Sequence, residues 1–130
     1  MEIRHQISAQ EFLELRKSVQ WKEVSLEILE QALCHSMDVV GIYENNTIVG
    51  MARLVGDGCF KAMLTDVIVK PFYQKKGYGK ILIKEILKHV SSNVCIEANP
   101  TKGNIDFYVS CGFIYNPNEQ EGVYLWTKKQ

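Results

Sequence analysis

The chain has 130 residues, 46% hydrophobic and 23% charged, and its Lys+Arg and Asp+Glu counts balance at 15 each. This is the length and composition of one ordinary globular domain, residues 1–130, with room for a core. The balance removes any net-charge argument for nucleic acid or an acidic membrane surface as partner. The amino-terminal Met-Glu-Ile-Arg-His has no signal-peptide apolar segment, and no apolar run approaches the roughly 20 residues of a membrane span. A cytoplasmic protein is the expectation. Cys34, Cys59, Cys95 and Cys111 form no C-x-x-C pair and match no zinc spacing. They are expected reduced, most of them as small core residues. His5, His35 and His89 are scattered with no i, i+4 pairing, which argues against a metal site.

In chain order, residues 2–7 read as a short strand that would put Ile3, His5 and Ile7 on one face. Ser8-Ala9-Gln10-Glu11 is a capping box: Ser8 accepts from the Glu11 N–H and the Glu11 side chain reaches back. The helix it opens runs to about Ser18, with Phe12, Leu15 and Val19 on one stripe. Trp21 follows in a polar break. Ser25 is placed to cap a second helix, in which Leu26, Leu29 and Leu33 recur at i, i+3, i+7. Residues 39–43 and 48–55 read as strands joined by Glu44-Asn45-Asn46-Thr47, since Asn tolerates the positive φ of a tight hairpin. Asp57-Gly58 is a stronger hairpin signal, and residues 60–69 form the next strand. Pro71 stops that ladder because it has no N–H to donate. Ile83, Ile86, Leu87 and Val90 fit a helical template over 81–90. Residues 94–98 form a short buried strand, so 60–98 is a β-α-β unit with a parallel pair. Asn99-Pro100 ends it. A short helix over 103–110 stops at Gly112, and 113–115 and 123–128 are the last strands. The order β-α-α-β-β-β-α-β-α-β-β predicts an α+β fold around a mixed sheet.

One stretch organises the rest: Gln74, Lys75, Lys76, Gly77, Tyr78, Gly79 and Lys80, set between a strand and a helix. Glycines let backbone N–H groups approach a ligand, and the first helical turn leaves its N–H groups unpaired at the positive end of the macrodipole. A phosphate or pyrophosphate fits there. A Walker A loop would need a glycine at Gln74 and Ser or Thr at Ile81; a Rossmann fingerprint would need a glycine at Leu82. ATP and NAD are thereby disfavoured. Lys70, Lys75, Lys76, Lys80, Lys84 and Lys88 crowd the same region, either as a solvated helix face or as a positive field around the turn.

Residues 67–80, Val-Ile-Val-Lys-Pro-Phe-Tyr-Gln-Lys-Lys-Gly-Tyr-Gly-Lys, resemble motif A of the GNAT superfamily of acyl-CoA-dependent N-acetyltransferases, whose core is Q/R-x-x-G-x-G/A. Downstream, residues 104–113 resemble that family's N-x-x-x-F-Y-x-x-x-G-F. The order of elements is similar along nearly the whole chain. The resemblance implies a GNAT-like mixed sheet with splayed central strands and helices on both faces. It implies that amides from Lys75 through Lys80 hold the acetyl-CoA pyrophosphate, and that Val67, Ile68 and Val69 pair with the pantetheine amides. Asn104 would bond the cofactor near its thiol end, and Tyr108 would protonate the leaving thiolate. A homodimer is a further implication at the level of the family.

Acetyl transfer to an amine needs a neutral amine, donors for the developing oxyanion and a proton for the departing thiolate. Tyr108 is the acid or a half-buried packing residue. Asp66, expected to share a face with Leu64 and Ile68, and Glu97, on the opposite strand of the cleft, are the base candidates; each is alternatively a structural acceptor. Trp21 borders the acceptor site in the family's layout or simply packs between helices. Cys111 lies three residues past Tyr108, with no histidine tied to it as a base. The acceptor side draws on Trp21, Glu23, Phe72, Tyr115, Glu119, Glu121, Tyr124 and Trp126, a mix that suits a cationic amine, either a small molecule or a protein lysine. The expected function is acetyl transfer from acetyl-CoA to a primary amine in a ternary complex without a metal; the other reading is a non-catalytic acyl-CoA-binding or regulatory module.

Overall fold

The computed structural model describes residues 1–120 and 122–127. Seven strands form one sheet in the order β1-β2-β3-β4-β5-β7-β6. They are β1 (Glu2–Arg4), β2 (Asp38–Glu44), β3 (Thr47–Gly56), β4 (Lys61–Val69), β5 (Cys95–Ala98), β6 (Ile114–Tyr115) and β7 (Val123–Trp126). Every neighbouring pair is antiparallel except β4 and β5. The helices are α1 (Ala9–Ser18), α2 (Leu26–Cys34), α3 (Tyr78–Leu87) and α4 (Ile105–Ser110), with a single 3-10 turn at Pro71–Tyr73. The element order is the expected one. No described helix is long and apolar enough to cross a membrane.

Local chemistry sets these elements. The Ser8 box forms in both directions, Glu11 N–H to Ser8 Oγ at 3.1 Å and Ser8 N–H to Glu11 Oε1 at 2.9 Å. The same Glu11 oxygen accepts from the Tyr43 hydroxyl at 2.9 Å, pinning α1 to β2. Burial and that carboxylate push the Tyr43 phenol well above its ordinary range. Ser25 Oγ caps α2 through the Ile28 N–H. Asn45 and Asn46 both take positive φ, as the β2–β3 hairpin requires. At the next hairpin the Asp57 carboxylate accepts the N–H groups of Cys59, Phe60 and Lys61, which holds its carboxyl far below the usual range.

Helices cover both faces of β2 and β3, so Val39 through Tyr43 are buried without alternation. Leu82, Ile83 and Ile86 of α3 pack on Val40, Ile42, Leu54 and Ile96. Phe12 and Leu15 of α1 and Leu29 of α2 pack on Tyr43, Met51 and Ile68. Each fully buried side chain contributes about 1.5–3 kcal/mol of transfer free energy.

Four expectations are corrected. The first strand stops at Arg4, and Ile3 and Ile7 join opposite cores, since the chain leaves the sheet between them. Leu26 is 40% exposed, because α2 lays only Leu29 and Leu33 against α1. No cysteine is a core residue: Cys34 and Cys59 are exposed, and Cys95 and Cys111 half-buried. The last strand ends at Trp126; Lys128, assigned to it from the sequence, lies outside the described residues.

Candidate active site

β4 and β5 pair only from Lys61 to Leu64 against Cys95 to Ala98. Asn99-Pro100 ends β5, while β4 continues to Val69 with β3 alone beside it. A register shift between Arg53↔Thr65 and Met51↔Ile68 sets Asp66 and Val67 together opposite a single β3 residue. Asp66 takes φ +51°, the left-handed conformation that an Asp tolerates better than most residues. The strands therefore part, and a cleft of about 710 Å³ opens between them. Its walls include Leu64, Thr65, Val67 and Val69 on one side and Asn99 and Thr101 on the other. Along residues 65–69 the edge of β4 that faces the cleft has no partner strand among the described residues.

The glycine turn closes one mouth. Lys75 (φ +63°) and Gly77 (φ +90°) are left-handed, and Gly77 is the N-cap of α3 without a side-chain cap. The first helical bond there runs from the Ile81 N–H to the Gly77 carbonyl. The N–H groups of Tyr78, Gly79 and Lys80 thus have no intrahelical partner. Gly79 is required by packing: a Cβ there would lie 2.8 Å from Phe107 Cζ. The Gln74 amide donates to the Val69 carbonyl at 2.9 Å, tying the turn to the strand. Gln74, Lys75, Gly77, Tyr78, Gly79 and Lys80 all line the cleft. Lys76 does not; its ammonium sits 4.6 Å from the centre of the Phe72 ring. Ile68 also does not, because the bulge turns its side chain into the α1–α2 core. Lys70 is paired with Glu14 and Lys88 with Glu85, and Lys84 does not line the cleft, so the lysines at the cleft are Lys75 and Lys80.

Tyr108 comes from α4 and is 9% exposed. Its ring meets Phe107 and Phe113 edge-on, and it lines the cleft with Asn104. Burial pushes the phenol up to about 12. Asn104 is the residue before α4, its amide donating to Thr101 Oγ1. Burial also raises the Cys111 thiol, the reverse of what a nucleophilic cysteine needs.

Of the two candidate bases, Asp66 lines the cleft as expected and Glu97 does not. Asp66 does not share a face with Leu64 and Ile68, which the bulge sends into opposite cores. Its carboxylate is held by Arg53 Nε at 2.9 Å and Arg16 Nη1 at 3.5 Å. Glu97 is outside the cleft and pairs with Lys61 Nζ at 2.8 Å, because its side chain projects from the face opposite Ile96 and Ala98. Arg16 and Arg53 were missed from sequence. Arg16 also donates to the Lys22 carbonyl through Nε and Nη2, and Arg53 to Ser36 Oγ at 3.2 Å. Together they tie the bulge to the α1–α2 connection and to the end of α2. A charge inside the apolar run Met51-Ala52-Arg53-Leu54-Val55 was the available signal. Trp21 lines the cleft mouth with the Arg16 guanidinium 5.6 Å from its ring centre. Of the other acceptor-side residues, Glu23, Phe72, Tyr115, Glu119, Tyr124 and Trp126 lie off the cleft, and Glu121 is outside the described residues.

Comparison with known proteins agrees with this geometry. The chain is 29% identical over 130 residues to the uncharacterised N-acetyltransferase ycf52 of Porphyra purpurea, covering 94% of this chain and 74% of that protein. The solved GNAT-family acetyltransferase SP0256 of Streptococcus pneumoniae superposes with a TM-score of 0.79 at 30% identity, covering 99% of this chain and 97% of that one. An aminoglycoside 6'-N-acetyltransferase complexed with coenzyme A shares the fold at a TM-score of 0.73 and 15% identity, covering 97% and 94%. The model of the acetyltransferase (GNAT) family matches residues 5–113. The chain belongs to the GNAT family of acetyltransferases, which use acyl-CoA as co-substrate.

Proposed function

We propose that the cleft binds acetyl-CoA and passes its acetyl group directly to a primary amine held at the Trp21 mouth. The observation that carries this is the unpartnered edge of β4, with the glycine turn at one end and the Tyr108 phenol beside it. Free N–H and C=O groups on a strand edge bind an extended arm carrying amides, as an added strand would. The pyrophosphate belongs on the N–H groups of the turn and the first turn of α3, with Lys75 and Lys80 adding charge. Val67 and Val69 offer backbone and side chain to the arm; Ile68 offers backbone alone. Asn104 bonds near the thiol end.

The neutral amine attacks the thioester carbonyl. A backbone N–H on the splayed part of β4 steadies the oxyanion. The carbon–sulfur bond then breaks, the Tyr108 hydroxyl gives the thiolate its proton, and the nitrogen, cationic after attack, returns a proton to the phenolate directly or through water, leaving a neutral amide and the acid restored. A phenol near 12 is fully protonated at neutral pH, so the acid is ready when the donor binds. Neither carboxylate acts as base in this scheme. Glu97 is off the cleft, and the two arginines hold Asp66, whose task is to keep the bulge in shape. The amine loses its proton before it reacts.

The test is release of free thiol from acetyl-CoA in a screen against pooled amines, small molecules and lysine peptides alike, together with thermal stability. Acetyl-CoA should raise Tm in the wild type and not in Gly77→Glu, which sets a carboxylate in the pyrophosphate position. Failure of every acyl-CoA to shift Tm would sink the reading. A shift with no thiol release from any amine would favour a binding module.

A further inference from the structure

Two of the three histidines scattered in sequence meet in space. His5 leaves β1, and His89 sits in the turn just past α3; their rings meet edge-on with centroids 5.4 Å apart. Glu85, one helical turn before His89, completes the group. Its Oε1 is 3.2 Å from His5 Nε2 and 4.0 Å from His89 Nε2. One ligand atom from each residue lies within 4.8 Å of the other two. The cluster is at the end of α3 away from the glycine turn, about 15 Å along the helix, and neither histidine lines the cleft.

From this arrangement we propose that His5, Glu85 and His89 form a surface site for a late first-row divalent transition ion, with Zn²⁺ as its simplest occupant. Two imidazoles and one carboxylate suit zinc, copper and nickel rather than magnesium or calcium, which take oxygen ligands. The orientation is already set. Asp38 Oδ1 lies 3.1 Å from His5 Nδ1 and is itself held by the Val39 N–H at 2.8 Å. Without an ion both ring nitrogens of His5 lie at donor distance from carboxylate oxygens; a bound ion would displace the Nε2 proton, while Nδ1 would keep its own toward Asp38. A carboxylate behind a ligating imidazole fixes tautomer and direction in this way. Glu85 and His89 share one helix face at i, i+4. A contraction of under 2 Å brings the three atoms to bonding distance of one ion, within reach of exposed side chains. Water fills the fourth position. Lys88 Nζ, 3.7 Å from Glu85 Oε2, opposes a cation, but its side chain is exposed and free to swing away. The ion would cross-link residue 5 to residues 85 and 89, joining the amino-terminal segment to the helix that carries the glycine turn.

The experiment uses chelator-stripped full-length protein and Zn²⁺ alone, followed by titration calorimetry and Tm. The expected result is one equivalent bound at a micromolar Kd and a Tm rise on the order of 5 °C at saturation. His5→Gln and His89→Gln, both at exposed positions, should keep the metal-free Tm and lose affinity at least about tenfold, as removal of a ligand does. The exposed thiols Cys34 and Cys59 are the competing ligands. Cys34→Ser with Cys59→Ser should therefore leave binding intact, and Co²⁺ in place of Zn²⁺ should show no thiolate charge-transfer band. Binding that survives both histidine variants, vanishes with the thiols, or is not saturable below about 1 mM overturns the site. Because the readout is metal affinity, its failure leaves the acetyl-transfer proposal standing, and the reverse also holds.

Discussion

The two halves of β4 belong to one strand and have opposite fates. From Ala62 to Leu64 the strand is paired on both sides, and Lys61, paired with β5, makes an ion pair with Glu97 across the β4–β5 seam. From Thr65 to Val69 it is paired on one side only, bulged at Asp66, and braced by two arginines reaching in from α1 and β3. In the first half the ladder holds the strand, and side chains at the surface add little. In the second half a ligand edge has been left open, and side chains do the holding that a neighbouring strand would otherwise do. The difference predicts where substitutions hurt.

The largest effect belongs to the open half. Tyr108→Phe should lower kcat by about 10²–10⁴ while CoA affinity changes by less than threefold, as loss of a general acid does; unchanged turnover would return Tyr108 to packing. Next is the brace. Arg53→Met leaves the Asp66 carboxylate, 10% exposed at its side chain, with only the longer Arg16 contact. Stability should fall by about 3 kcal/mol, read as the urea midpoint. The acetyl-CoA KM should rise with it, because the bulge shapes the cleft. A stability loss with KM untouched would separate the bulge from the binding edge.

A third effect depends on pH. An unfolded tyrosine titrates near 10 and Tyr108 near 12, so between these values the native state holds the proton that the unfolded state has released. Tyr108 therefore contributes in full below pH 10, and stability falls as pH rises from about 10 to about 12, by roughly 2–3 kcal/mol from this one group. Tyr43 shifts in the same direction. The difference between wild type and Tyr108→Phe isolates Tyr108, and the variant should lose less on the alkaline side. Smallest is Glu97→Gln, which breaks the surface pair with Lys61: under about 1 kcal/mol in stability and less than twofold in kcat. A large kcat loss there would restore Glu97 as a base and undo the contrast between the two halves.

What could be read in advance follows the same division. Gly77, Gly79, Ser8, Ser25, Asn45 and Asp57 announce themselves because backbone conformation or an unpaired N–H demands their residue types. The β2–β3–β4 meander and the parallel β4–β5 pair followed from hairpin signals and one helical crossover, whereas the places of β1 beside β2 and of β7 beside β5 were not legible. Asp66 was assigned the wrong face because strand alternation is read by counting, and a bulge adds one residue to the count. Nothing local to Thr65-Asp66-Val67 marks it; the sign was Arg53, a lone charge in an apolar strand waiting for a partner. Glu97 was placed in the cleft by strand alone, without a way to know which face its neighbours Ile96 and Ala98 would bury. His5 and Glu85 are 80 positions apart and meet only because β1 folds beside β2 over the end of α3.

The ring of Phe107 comes within 2.8 Å of the place a Cβ of Gly79 would take. The turn and the helix bearing Tyr108 are thus wedged against each other, and the space between the anion-binding amides and the phenol has a set length. Under the proposed binding mode the cleft would work as a gauge for the donor: an acyl-CoA of full arm length would put its sulfur at the phenol with its phosphates seated. A donor with a shortened arm would seat its phosphates or reach the phenol, but not both, so selection among thioesters would rest on span as well as on the acyl group.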